Sequence, residues 1–284
     1  MYNDCLIDVA SLMKPQANRV ILDASWYLPG SGQDGRENWL EAAVPDARFF
    51  DFDRQIALAN TDLPHMLPTP DDFTSAVQAL GIDSDTAVVV YDQHGLFSAP
   101  RAWWMFKVMG HDNVRVLNGG LPAWISAGGE VMSPDGSVPK PGGFSAVFQP
   151  QWLASCADIL HQCDNASVTL LDARPFARFA GDAPEPRPGL RSGHIPGALS
   201  LPATALIEDG FLLADDALVE CLHAKLGALD MSAPLMTSCG SGVTACILAL
   251  AAYRIGLQPA VYDGSWAEWG ASDTLPVVTG SLPQ

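Results

Sequence analysis

Pro234-Leu-Met-Thr-Ser-Cys239-Gly-Ser-Gly-Val-Thr-Ala245, followed by Cys246-Ile-Leu-Ala-Leu-Ala-Ala-Tyr253, reads as a short strand, a tight loop and a buried helix. Leu235 to Ser238 ends abruptly at Cys239. Gly240 and Gly242 permit the positive φ angles that a tight loop needs. From Val243 the chain is apolar and Ala-rich, long enough for about three helical turns, and Gly256 can end it. Cys239 is therefore expected at the carboxyl end of a strand, just before a helix N-terminus. Successive backbone N–H groups converge there and the helix dipole adds positive potential. Such a setting favours thiolate over thiol, and thiolate is the nucleophile. Cys5, Cys156, Cys163, Cys221 and Cys246 lack this context and are expected to be small buried hydrophobes.

The same order of elements occurs twice. In the first half, Ile7 to Met13 looks helical and Arg19-Val-Ile-Leu-Asp23 reads as a strand. Pro68-Thr-Pro-Asp-Asp-Phe starts a helix running to about Leu80, with Pro near its first turn. Thr86-Ala-Val-Val-Val-Tyr-Asp92 is an apolar, β-branched run of the buried parallel kind. Ala99 to Gly110 reads as a helix closed by Gly, and Val114 to Leu117 as a strand. In the second half, Val168-Thr-Leu-Leu-Asp172 matches the Asp23 strand. Gly193-His-Ile-Pro-Gly-Ala matches Ala43-Val-Pro-Asp-Ala. Ala260-Val-Tyr-Asp-Gly-Ser-Trp matches Val114 onward. The separation is 149 residues from Asp23 to Asp172, 151 from Pro45 to Pro196 and 145 from Trp124 to Trp269. Offsets so similar, in one order, mark a duplication. Ser133 to Gly143 is rich in Pro and Gly and reads as the linker. The expected organisation is a first domain over 1–132, a linker over 133–150 and a second domain over 151–284. Each is an α/β unit with a parallel sheet flanked by helices. Where the second half carries Cys239, the first has Tyr91-Asp-Gln-His-Gly-Leu-Phe-Ser98, with no Cys. One reactive copy is expected, with the other contributing a wall at the domain interface.

Composition narrows the classes. The chain has 284 residues, of which 48% are hydrophobic and 17% charged, enough for sizeable cores. Its net charge of −17 disfavours nucleic acid and anionic membrane as partners. It also means that an anionic substrate would need local arginines. No run of about 18 apolar residues is present, so no membrane span is expected. The first residues show no basic region followed by an apolar stretch, and no secretory signal is read there. Cysteine spacing suggests neither a disulfide framework nor zinc, which suits a reducing cytosol. No metal and no cofactor is expected.

The motifs together resemble the tandem-domain rhodanese family of sulfurtransferases. The resemblance rests on Asp172-Ala-Arg, Gly193-His-Ile-Pro-Gly-Ala, the Cys239 loop and Tyr262-Asp-Gly-Ser-Trp. Cys239-Gly-Ser-Gly-Val-Thr, Leu63-Pro-His65-Met-Leu-Pro, Phe97-Ser-Ala-Pro-Arg-Ala-Trp-Trp104 and Glu185-Pro-Arg187-Pro-Gly are similar to the branch that uses 3-mercaptopyruvate. The likeness spans nearly the whole chain; its clearest local departure is Ala43-Val-Pro-Asp-Ala. It implies sulfur transfer from 3-mercaptopyruvate, through a Cys239 persulfide, to a thiol acceptor such as thioredoxin or a small thiol, or to cyanide. Pyruvate would be released.

By the same resemblance Arg178 and Arg187 would hold the donor's carboxylate, through the paired hydrogen bonds that a guanidinium offers. Gly240, Ser241, Gly242, Val243 and Thr244 would shape the site around the sulfur. Asp53, His65 and Ser241 match a proposed triad that shuttles a proton. In the alternative, Ser241 only bonds the persulfide while Asp53 and His65 pack the interface. His194 is expected to fix a turn, Asp172 to support the same region, and Thr244 to cap the helix or bond the loop. Thiosulfate is a dianion, met in classical rhodaneses by basic residues directly after the Cys. Here those positions are the neutral Gly240 and Ser241. A Cys phosphatase needs an Arg six positions after its Cys, where this chain has Ala245. A non-catalytic persulfide carrier, sharing the same Cys, stays open.

Overall fold

Two sheets of identical design form because the chain twice repeats short apolar runs that only burial on both faces can satisfy. The structure is a computed structural model describing residues 2–165, 168–227 and 234–280. The outermost expected domain bounds, Met1 and Gln284, lie outside the described residues.

The first half contains β1 (Leu6–Ile7), α1 (Val9–Leu12), β2 (Arg19–Asp23), α2 (Gly35–Glu41) and β3 (Arg48–Phe49). It continues with α3 (Pro70–Ala79), β4 (Ala87–Tyr91), α4 (Ala99–Val108), β5 (Val114–Leu117) and α5 (Gly120–Ser126). All its strand pairs are parallel, in the order β1-β5-β4-β2-β3. The second half contains β6 (Leu153–Ala154), α6 (Cys156–Asn165), β7 (Thr169–Asp172), α7 (Phe176–Ala180) and β8 (Leu199–Ser200). An antiparallel hairpin, β9 (Ile207–Glu208) and β10 (Phe211–Leu212), leads to α8 (Asp215–Leu226). Then come β11 (Leu235–Ser238), α9 (Ala245–Arg254), β12 (Pro259–Tyr262) and α10 (Ser265–Trp269). Its parallel sheet runs β6-β12-β11-β7-β8. The two orders are the same when read from each domain's first strand, and β4 and β11 are the two central strands.

Local chemistry explains the helix bounds. Thr69 caps α3, accepting from Asp72 N–H, with Pro70 at the first helical position. The helix expected over Ile7 to Met13 is shorter than that. Residues 6–7 pair with β5 instead, and Asp8 accepts from Ser11 N–H to start α1 at Val9. The helix after Cys239 begins at Ala245 rather than Val243, and Thr244 makes no side-chain cap bond.

Every residue of α4 is buried, as are eight of the ten in α9. A helix buried all round is a core helix, and the two charges of α4, Arg101 and Lys107, are each paired with an Asp. The two pack on each other and join both halves into one apolar core. Trp103 of α4 lies 5.5 Å, centroid to centroid, from Tyr253 of α9. The helix that follows each central strand thus forms the interface, which brings the loop after β11 up against the first half. Cys5 and Cys246 are buried as expected, whereas Cys156, Cys163 and Cys221 are only partly so.

Candidate active site

Strand β11 ends at Ser238, which pairs with Asp172, and Cys239 follows at the carboxyl edge of the sheet. Its loop is pinned from behind by the start of α10. Cys239 N–H donates to Ser265 Oγ at 3.2 Å, Cys239 O accepts from Trp266 N–H at 3.0 Å, and Gly240 O accepts from Ala267 N–H at 2.9 Å. Gly242 takes φ +77°, and a Cβ there would stand 2.7 Å from Asp263 O. Only glycine fits. The backbone N–H groups of residues 240–244 have no acceptor among the described residues.

The first half shows what such a loop wants. Tyr91 ends β4 as Ser238 ends β11, so Asp92 stands where Cys239 stands. The Asp92 carboxylate accepts from the N–H groups of His94, Phe97, Ser98 and Ala99 at 2.8–2.9 Å. A strand–loop–helix turn of this kind gathers donors around an anion. In the first domain a carboxylate fills that role; in the second the corresponding position carries sulfur.

Cys239, Gly240, Ser241, Val243 and Thr244 line a cavity of about 200 Å³, together with Arg174, Arg178 and Arg187 and, from the first half, Trp26 and Phe97. Gly242 is not among the lining residues; it shapes the loop from below. The arginines differ. Arg174 is fully buried, pairs with Asp172 at 2.7 Å and Glu185 at 2.9 Å, and stacks over the Trp266 ring. Arg178 forms a close ion pair with Glu185 through Nη2, supported by Nε at 3.3 Å. Arg187 makes no hydrogen bond or ion pair among the described residues. Burial pulls its pKa below the usual guanidinium value, against the opposing pull of Cys239. A guanidinium nonetheless stays cationic at neutral pH.

From the first half, His65 Nδ1 lies 2.6 Å from Asp53 Oδ1, at ion-pair distance but off the line of a well-aligned hydrogen bond. The His65 backbone sits in the left-handed region at φ +59°, and its ring meets the Trp26 ring edge-on at 4.8 Å. Burial pulls the His65 pKa down, against Asp53. Asp53 is pushed up by burial, but the His65 contact outweighs this and leaves it below its usual value. His65 Nε2 has no hydrogen-bond partner among the described residues. Of the three candidate triad residues, Asp53 and His65 are brought together; no hydrogen bond joins His65 to Ser241.

The His65 loop and the Cys239 loop share one support. Arg101 of α4, wholly buried, donates to Asp263 Oδ1 at 2.5 Å, to Gly242 O at 3.3 Å and, through a close contact, to His65 O. Asp263 Oδ2 accepts from Leu67 N–H at 2.7 Å. Neither Arg101 nor Asp263 was among the expected site residues, nor was Glu185. The signal for Arg101 was a guanidinium in the first turn of a helix that is apolar but for Lys107 at its other end. His194 behaves as expected, its Nδ1 2.8 Å from Phe179 O and its ring stacked on Phe179.

The model of the rhodanese-like domain matches residues 12–127 and again 155–272. The chain belongs to the rhodanese family. Its two rhodanese domains also align with complete relatives. The 3-mercaptopyruvate sulfurtransferase of Escherichia coli is 40% identical over 260 residues, covering 90% of this chain and 91% of that one. The mitochondrial thiosulfate/3-mercaptopyruvate sulfurtransferase 1 of Arabidopsis thaliana is 40% identical over 290 residues, covering 94% and 75%. The crystal structure of SseA from E. coli, described as a 3-mercaptopyruvate sulfotransferase, superposes with a TM-score of 0.83 at 34% identity, covering 93% of this chain and 99% of that one. Among the described residues, no helix of this rhodanese is long and apolar enough to cross a membrane.

Proposed function

We propose that this rhodanese transfers sulfur from 3-mercaptopyruvate to a thiol through a persulfide on Cys239. The observation that carries the reading is the pairing, in one cavity, of Cys239 with the uncommitted guanidinium of Arg187. Cys239 thiolate attacks the donor sulfur, and the carbon–sulfur bond breaks with its electron pair moving to carbon. The resulting pyruvate enolate takes up one proton at its methyl carbon, matching the one that Cys239 lost. Cys239 is left as a persulfide, whose outer sulfur the N–H groups of residues 240–244 would hold. A thiol then removes that sulfur and restores Cys239. Arg187 holds the donor's carboxylate and keeps the sulfur within reach. His65, kept neutral by burial, is the group placed to exchange a proton, and Asp53 orients it. Thioredoxin or a small thiol would serve as acceptor, in a reducing compartment such as the cytoplasm.

Thiosulfate is the second donor to weigh, because one relative is named for both compounds. The test is a panel of 3-mercaptopyruvate, thiosulfate and a phosphate ester, with mass spectrometry of the protein after each. Mercaptopyruvate should add one sulfur atom to Cys239 and release pyruvate at the highest kcat/KM. A protein left without added sulfur would remove the assignment.

A further inference from the structure

The charges around the cavity nearly cancel, and one carboxylate is responsible. Arg174 and Arg178 both reach the wall, but Glu185 lies between them with its side chain only 1% exposed. Asp172 takes the remaining face of Arg174. These two guanidiniums and two carboxylates sum to no net charge. Arg101 is likewise matched by Asp263. Arg187 alone among these arginines has no carboxylate partner among the described residues, so, the attacking Cys239 thiolate apart, the wall offers a donor one unpaired positive charge. A monoanion is neutralised by it. A dianion brings a second charge into a half-closed site where unpaired charge is costly.

We infer that Glu185 is a specificity-determining residue: by engaging Arg178 it restricts the cavity to monoanionic sulfur donors such as an α-keto acid thiol, and against dianionic donors such as thiosulfate. Glu185 acts through Arg178 and is a positioning residue rather than a catalytic one. The inference rests on the sulfur-transfer reading above. It adds a cause of donor choice distinct from the neutral Gly240 and Ser241. Those residues withhold new cations, whereas Glu185 cancels one already present. Geometry links the two, since a Cβ on Gly240 would stand 3.0 Å from Arg178 Nη2. Arg178 therefore lies beside the Cys239 loop, close enough for a released guanidinium to meet a donor's second charge.

The experiment compares Glu185→Gln and Glu185→Asp with the wild type, using kcat/KM for mercaptopyruvate and for thiosulfate. Gln keeps the size and an acceptor oxygen but loses the charge; Asp keeps the charge. Glu185→Gln should raise the thiosulfate-to-mercaptopyruvate ratio by about tenfold or more, the scale of one charge-assisted hydrogen bond. Glu185→Asp should leave the ratio near the wild type. An unchanged ratio in folded Glu185→Gln, or equal shifts in both variants, would overturn the inference. A wild-type measurement stands whether or not the Glu185→Gln variant folds: at constant ionic strength, sulfate should compete with mercaptopyruvate more weakly than pyruvate does. Equal or stronger competition by sulfate would overturn the inference too. Persulfide formation on the wild type separates the two levels. Its absence removes the sulfur-transfer reading itself, whereas an unchanged ratio in a variant that still forms persulfide removes only Glu185.

Discussion

Arg101 Nη1 stands 2.5 Å from Asp263 Oδ1, joining α4 of the first rhodanese domain to the residue after β12 of the second. Both side chains are buried, and the pair also holds Gly242 O, His65 O and Leu67 N–H. Removing one partner of a buried ion pair typically costs about 3–5 kcal/mol, because the other charge stays behind. Asp263→Asn should therefore lower stability on that scale in chemical denaturation. It should also lower sulfur transfer from the folded fraction, since the His65 and Cys239 loops lose their common anchor. A variant with wild-type denaturation and wild-type turnover would show that the pair is dispensable.

Gly240 and Gly242 should respond differently to alanine. At Gly242 the new Cβ meets Asp263 O at 2.7 Å and the backbone is left-handed. The conformational term alone is about 1–2 kcal/mol, and backbone on the far side cannot yield. At Gly240 the nearest atom is the end of the Arg178 side chain, which can move. Gly242→Ala should abolish persulfide formation, with Gly240→Ala retaining most of it. Mass spectrometry after mercaptopyruvate treatment reads both.

Arg187 and Arg178 separate binding from folding. Arg187→Ala breaks no internal bond and should leave the Tm unchanged. Its mercaptopyruvate KM should rise roughly ten- to a hundredfold, the range of a lost charged hydrogen bond. Arg178→Ala strips a partner from the buried Glu185 and should lower the Tm as well. If Arg187→Ala leaves KM where it was, the carboxylate is held elsewhere.

Cys239→Ser should end sulfur transfer, whereas Cys246→Ala should keep persulfide formation. Cys246 lies in the same helix–loop unit, but burial drives its thiol pKa up, and its Sγ donates to Gly242 O at 3.2 Å. An adduct mapped by peptide mass to Cys246 would reverse the assignment.

Burial holds His65 below the ordinary histidine value of about 6.5. The unfolded chain then binds more protons than the folded one just under that pH. The stability contribution is complete above pH ~6.5 and is lost as pH falls towards the folded pKa. His111 and His194, also lowered by burial, act in the same direction. Asp53, lowered despite its burial, adds a further loss only in the acid range below the ordinary carboxylate value. Buried Asp23, raised to about 6, and Asp51, also raised by burial, gain stability as pH falls and oppose this trend, so the His65 contribution is read as a difference. Going from pH ~6.5 downward, the denaturation midpoint of the wild type should fall further, relative to its value at neutral pH, than that of His65→Gln. An identical slope in His65→Gln would place the effect on other groups.

The duplication, the order of strands and helices and the place of Cys239 between a strand and a helix were legible from the chain alone, because each rests on local pattern. Apolar runs such as Ala87–Tyr91 can satisfy themselves only as buried strands, and Cys239, followed by two glycines in three residues, can only top a sharp turn. The short α1 escaped this logic: residues 6–7 gain more by pairing with a strand over a hundred positions away than by one added helical turn. Thr244 was a reasonable cap by type, yet the loop geometry leaves its side chain without that bond.

Charge balance was not legible in that way. The family resemblance presented Arg178 and Arg187 as equals, and Asp53, His65 and Ser241 as one set. Only the folded arrangement ties Arg178 to Glu185, leaves Arg187 uncommitted, and joins Asp53 to His65 without completing the link to Ser241. Arg101 and Asp263, 162 positions apart, come together only when α4 meets α9. Local pattern decides which segments form because backbone conformation and burial period are short-range. The identity of a guanidinium's partner is settled by what the packed domains bring within about 3 Å of it, the range of a charged hydrogen bond.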